Sequence, residues 1–195
     1  MGNSTAYAVF RTGDAATAYA KARELCALLS YPEDLIWVSV ELLTVEDVRR
    51  MAAVLPEARF GYLGIRTGPE GEDLWFDLDV MTADDRALKP HLPLEIMGER
   101  VPAEVAERCV AALGGGMADI EWHGSWPDEP EADRYGNPKC NGVQVLFHGD
   151  DVGRESRTDD HTVFVHVRGA EYLSWACDLA ARIGGEVLGG PQIGW

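Results

Sequence analysis

Thr162-Val163-Phe164-Val165-His166-Val167-Arg168 places a valine at every second position and runs into Gly169, beyond which the spacing of apolar residues changes. From Glu171 to Ile183, Tyr172, Ala176, Leu179, Ala180 and Ile183 recur three and four apart, and Gly184-Gly185 closes the segment. A period of two turning into a period near 3.6 is a strand followed by an amphipathic helix. Upstream, Val143 to His148 repeats the strand pattern and Ala118 to His123 supplies a third strand. Alternation puts Ile120, Trp122, Val143, Val145, Phe147 and the three valines on one face, the face a helix covers. The opposite parity carries Asp119, Glu121, His123, Gln144, His148, Thr162, His166 and Arg168, with Leu146 and Phe164 among them.

The first half extends the same reading. Tyr7 to Arg11 reads as a strand, and Asp14 caps a helix over 15–29 whose residues Ala18, Tyr19, Ala22, Leu25, Cys26 and Leu29 form one stripe. Leu35 to Leu43 is a strand, and Thr44 with Asp47 resembles a capping box opening a helix that Pro56 ends. Phe60 to Arg66 and Leu74 to Val80 read as strands around the hairpin loop Thr67-Gly68-Pro69-Glu70-Gly71. Pro102 suits the first turn of a helix to Leu113, stopped by Gly114-Gly115-Gly116, and Val187-Leu188 reads as a last short strand. The fold class is therefore α+β, with antiparallel or mixed sheets covered on one face by helices, the ferredoxin-like pattern being one example. Helices 15–29 and 170–183 are each expected to bury a face on a sheet, with Leu25, Leu29, Leu179 and Ile183 inside. Residues 82–101 show no clean period and read as a seam. Two partitions follow: one compact unit, 1–195, or two lobes, 1–85 and 92–195. A helix-then-strand plan shared by 44–64 and 101–122 raises the question of duplication.

Charge is the most unusual feature of the composition. Thirty-three Asp and Glu against 17 Lys and Arg give a net charge of -16, with an isoelectric point near 4.6. Such a field repels phosphate backbones, so no nucleic acid is expected as a partner. Acidity serves solubility, and it also speeds association with a cationic protein. The longest apolar stretches, such as Leu35 to Val40, fall far short of the ~20 residues that cross a bilayer, so no membrane is expected. The opening residues lack a charged start and an apolar run, and the expected compartment is cytoplasmic. Cys26, Cys109 and Cys177 fall on or beside helical stripes and are expected to be buried, reduced thiols; Cys140 sits in a loop beside Lys139. No cysteine spacing suits a metal, and neither a metal nor a cofactor is expected.

Familiar catalytic signatures are missing: there is no GxGxxG after a strand, no P-loop, no GxSxG and no HExxH. Two candidate sites remain. His123, His148 and His166, with Glu121 and Arg168, share one parity of the three C-terminal strands, and imidazoles beside a carboxylate can exchange protons or hold a metal. The second candidate is a contact surface for a basic protein, built from Asp150, Asp151, Asp159 and Asp160 in the loop 149–160, with Trp126 as either an anchor or a core residue. The acids of that loop do not follow the EF-hand order. The leading expectation is a protein-binding module, such as an acidic inhibitor or immunity-type protein neutralising a basic partner. The alternative is a small enzyme, hydrolytic or metal-dependent, working on the histidine-bearing sheet face. The two separate on whether the imidazoles meet at one point.

Overall fold

The computed structural model describes residues 4–30, 32–127 and 141–195, so expectations for Lys139 and Cys140 lie outside the described residues. The chain is α+β and divides into two units, one built from the residues up to Ile36 and from Asp119 onward, the other from Trp37–Ala118.

In the first unit the strands are β1 (Thr5–Thr12), β7 (Ala118–His123), β8 (Gly142–Phe147), β9 (His161–Val167) and β10 (Gln192–Ile193), and the helices are α1 (Ala15–Cys26) and α5 (Leu173–Arg182). Their order across the sheet is β10-β1-β9-β8-β7, with β1 antiparallel to both β9 and β10 and β8 antiparallel to β9. Asp14 caps α1 by accepting from Thr17 N–H at 2.8 Å. Helix α1 packs on β8 and β9, and α5 packs on β1 and β9. Leu25, Leu29, Leu179 and Ile183 are buried as the stripes require. Both helices are shorter than their apolar spacing suggests, because Leu28, Leu29 and Ile183 close the last turns with three-residue hydrogen bonds. Cys177 departs from expectation: Ala176, Leu179 and Ala180 face inward, and the thiol, one position round the helix, is exposed.

The polar parity of β7–β9 does not face water. Every residue of β8 and β9 is buried, and on the face opposite the helices Ala6, Ala8, Leu146 and Phe164 form a second core under Val152 and Leu188. The covering comes from residues 149–160 and 188–195. Leu188 N–H donates to Ala8 O at 2.8 Å, Gln192 Oε1 accepts from Val152 N–H at 2.8 Å, Gly194 N–H donates to Ser4 O at 2.9 Å, and Ser4 N–H donates to Trp195 O at 2.7 Å. A side chain at Gly194 would strike Ser4 Oγ and His166 Nδ1, so the segment lies this close only because that residue is glycine. The short terminal strand forms here, at 192–193, and not at 187–188.

The second unit carries β2 (Ile36–Leu42), β3 (Phe60–Tyr62) and β6 (Leu94–Val101) in the order β2-β6-β3, a separate hairpin of β4 (Arg66–Thr67) and β5 (Asp73–Leu74), and α2 (Val45–Val54), α3 (Asp85–Leu88) and α4 (Ala103–Ala112). Thr44 and Asp47 form the capping box in full, and α2 packs against α4. Two readings of the sequence change. Residues 82–101 are not a seam: they hold α3, a 3-10 turn over Lys89–His91 and β6, and the units divide instead at 36/37 and 118/119. The two expected strands 60–66 and 74–80 are broken up. Gly64, at φ 76°, turns the chain between β3 and β4, and beyond Leu74 the residues alternate without a ladder: Phe76, Leu78 and Val80 turn inward while Trp75, Asp77 and Asp79 are exposed.

Candidate functional site

The histidines of the first unit fall into two separate pairs. His123 and His166 flank the Trp195 indole, their ring centroids 4.7 and 3.3 Å from it. The fully buried His166 ring lies 2.8 Å from Ser4 Oγ through Nδ1 and 3.2 Å from Gln144 Oε1 through Nε2. Burial holds this imidazole well below the usual histidine range, and the neighbouring His123 adds to the effect. His148 instead meets His161 edge to face at 4.7 Å, and its N–H donates to His161 Nδ1 at 3.1 Å. Burial also lowers the His161 pKa, with His148 adding to it. Glu121 pairs with His123 at 3.2 Å, and Arg168 is half-buried at the end of β9. The structure thus joins Glu121 to His123 and sets His148 apart from them. Among the described residues no group of three or more His, Cys, Asp or Glu is placed to hold a metal ion.

Asp119 extends this polar row and was not singled out by the sequence. It is buried, pairs with Arg154 at 2.9 Å, and its pKa is pushed up to about 7 by burial and by the Glu121 carboxylate, Arg154 opposing the shift. Alternation on β7 forces the closeness, since residues two apart in a strand project to the same side. The row runs from Arg154 through Asp119, Glu121 and His123 to Trp195 and His166, beneath the covering segments.

The acidic loop is partly committed to internal bonds. Asp150 lies 3.6 Å from Arg11, Asp151 Oδ1 accepts from Gly153 N–H at 2.7 Å, and Asp160 N–H donates to Thr158 Oγ1 at 3.2 Å; Asp159 is exposed. Trp126 is buried, with Nε1 donating to His166 O at 2.9 Å, so its ring belongs to the core.

Exposed apolar surface gathers in the second unit instead. A groove of about 470 Å³ is lined by Phe60, Ile65, Leu74, Trp75, Phe76 and Met97, with Arg59, Arg66, Asp73 and Glu95 at its margins. Ile65 is 85% exposed, Trp75 75% and Met97 68%, values that large apolar side chains rarely show outside contact surfaces. Gly61 is part of the lining, and a side chain built there would meet nothing within 4 Å, so there is open space over that residue. Behind it, Tyr62 is fixed from several sides. Its hydroxyl lies 2.6 Å from His91 Nδ1, Phe76 meets it edge-on at 5.8 Å, and the Arg66 guanidinium rests 4.3 Å above its ring while donating to Leu92 O at 2.9 Å. Tyr62 is thus braced beside the groove, whose charged lining is mixed, Arg59 and Arg66 with Asp73 and Glu95; Glu70, Glu72, Asp77 and Asp79 are exposed on the neighbouring chain. The sequence signal for this site was the placement of Trp75 and Asp77 on the outward parity of a segment read as a strand.

In comparison with known proteins, no family model, no curated protein and no solved structure matches the chain.

Proposed function

We propose that the protein is a cytoplasmic protein-binding module that engages a basic protein through the Trp75 groove, in the manner of an acidic inhibitor or immunity-type protein. The observation that carries this reading is the exposed apolar lining of Ile65, Trp75 and Met97 in a groove bordered by the charged residues Arg59, Arg66, Asp73 and Glu95. An apolar centre with a charged border is the anatomy of a contact surface, and a tryptophan at its edge is a residue type on which binding energy concentrates. The net charge of -16 selects a cationic partner and disfavours nucleic acid. Free thiols at Cys26, Cys109 and Cys177 support a reducing compartment. The enzyme alternative called for His123, His148 and His166 at one point; His123 and His166 meet at Trp195, whereas His148 packs on His161, which favours the binding reading.

The test is capture from a native lysate at low and high salt with four immobilised proteins: wild type, Trp75→Ala, Gly61→Phe, and His123→Ala with His148→Ala. A basic protein held by the wild type and by the histidine variant, reduced about tenfold or more by either groove change, and released by salt is the expected result. Capture of the same proteins by wild type and by both groove variants would refute the proposal.

A further inference from the structure

The geometry points to a cation subsite within this groove, at which the Trp75 indole, flanked by Asp73 and Asp77, takes a guanidinium placed beside an apolar anchor that enters over Gly61; the inference rests on the docking reading above and names the chemistry of the docking segment. Asp73, Leu74 and Trp75 are all exposed, and from Phe76 to Val80 inward even positions alternate with the exposed Asp77 and Asp79, so an exposed carboxylate stands two positions to either side of the exposed indole. Two residues of chain span at most about 7 Å, so both carboxylates are tethered near the indole. Asp79 is already used by the following turn, where it accepts from Met81 N–H at 2.8 Å and from the Thr82 hydroxyl at 2.7 Å. Asp73 and Asp77 are the two that remain beside Trp75.

Tryptophan is the best aromatic platform for a cation, and a carboxylate at each edge supplies acceptors for a guanidinium lying flat on it. The same unit already uses the arrangement twice: Arg66 lies over Tyr62 at 4.3 Å, and Arg100 over Trp37 at 5.1 Å. Gly61, with open space where a side chain would stand, lines the same groove as Trp75, Ile65, Leu74 and Met97. An occupant that satisfies both features carries arginine and a large aliphatic residue close together. The carboxylates of Asp73 and Asp77 two positions to either side of Trp75, within a chain of net charge -16, favour this occupant over an acidic or neutral one, although Arg59 and Arg66 also line the groove.

The experiment is an NMR titration that reads the Trp75 indole N–H cross-peak, assigned by its loss in Trp75→Phe. The probes are a short peptide with the core Arg-Gly-Leu-Gly-Arg, the same peptide with citrulline in place of arginine, and the same peptide with serine in place of leucine. The expected result is a saturable shift with the first peptide, weakened about tenfold by citrulline, by serine, or by Asp73→Asn combined with Asp77→Asn, the variant spectrum otherwise retaining its dispersion. Equal binding of the arginine and citrulline peptides, both blocked by Gly61→Phe, would overturn the cation subsite and leave the groove as a docking surface. No movement of the Trp75 indole with any peptide would overturn the subsite as well, while capture of a basic protein that depends on Gly61 would still stand on its own.

Discussion

Replacing Asp119 by Asn should change the pH dependence of stability in a direction fixed by the structure. Asp119 holds its proton in the folded chain up to about pH 7, against 3.8 for an ordinary aspartate. Between those values the folded state binds one proton more than the unfolded state, so this residue makes stability fall as pH rises, by about 1.4 kcal/mol per pH unit. His166 acts in the opposite sense. Its imidazole stays neutral when folded and takes a proton below 6.5 when unfolded, so stability falls as pH drops below that value. The two slopes oppose each other below pH 6.5, so the wild type should vary less with pH there than either residue alone would dictate. In Asp119→Asn the amide keeps the shape of the protonated acid, offers Glu121 a donor and gives Arg154 an acceptor. Near pH 4.5 the variant should therefore match the wild type, and by pH 6.5 it should be more stable by roughly 2–3 kcal/mol. Urea unfolding at half-unit steps from pH 4.5 to 7, followed by tryptophan fluorescence, measures the difference. A difference that does not change with pH would show that Asp119 is ionised in the folded protein, and the reasoning about the row would fail.

The remaining predictions address the covering segment, the thiols and the loop. Trp195→Ala should lower stability by roughly 2–4 kcal/mol through loss of the stack between His123 and His166, while Trp195→Phe, whose ring keeps the stack and removes a buried indole N–H that finds no acceptor among the described residues, should cost under about 1 kcal/mol; equal losses would refute the stack as the source. Cys177 should react with a thiol reagent in the native protein, whereas Cys109, whose thiol burial pushes up to about 11, and Cys26, pushed higher still, should wait for unfolding; mass spectrometry of partly labelled protein decides it, and early loss of Cys109 would contradict the packing. Changing Asp150, Asp151, Asp159 and Asp160 to Lys should slow association with a basic partner several-fold and flatten its salt dependence, leaving dissociation nearly unchanged, as stopped-flow kinetics would show; a large rise in the dissociation rate would place the contact on the loop instead of the groove.

Where local periodicity carries the information, the sequence discloses the fold. Strands β8 and β9 and the stripe of Leu25 and Leu29 are legible because each residue's neighbours two or four positions away decide its face. Strand β6 was hidden because Glu95 is buried, Met97 is exposed and Gly98 takes φ 61°, so hydrophobicity does not alternate along a strand that is nevertheless central in its sheet. The histidine-bearing face was legible as a face and illegible as buried. Parity assigns His123 and His166 to one side of a sheet, but whether water or protein lies against that side depends on 188–195, far away in sequence. Leu146 and Phe164 among the polar residues were the local clue, since they stand where Val152 and Leu188 come to rest.

The groove escaped for a related reason, and this bears on how charge and contact divide the work. Net charge is a property of the whole chain and acts over a Debye length of about 8 Å at physiological salt, so it governs the rate of encounter and says little about where a partner lands. In the loop 149–160 the carboxylates partly serve Arg11 and the turn at Gly153, and no large exposed apolar side chain accompanies them. Around Trp75 the carboxylate of Asp73 lines the same groove as Ile65 and Met97, so in the proposed docking reading encounter and desolvated contact would fall on the same few residues. That coincidence, more than the acidity itself, is what separates a docking surface from a merely soluble one.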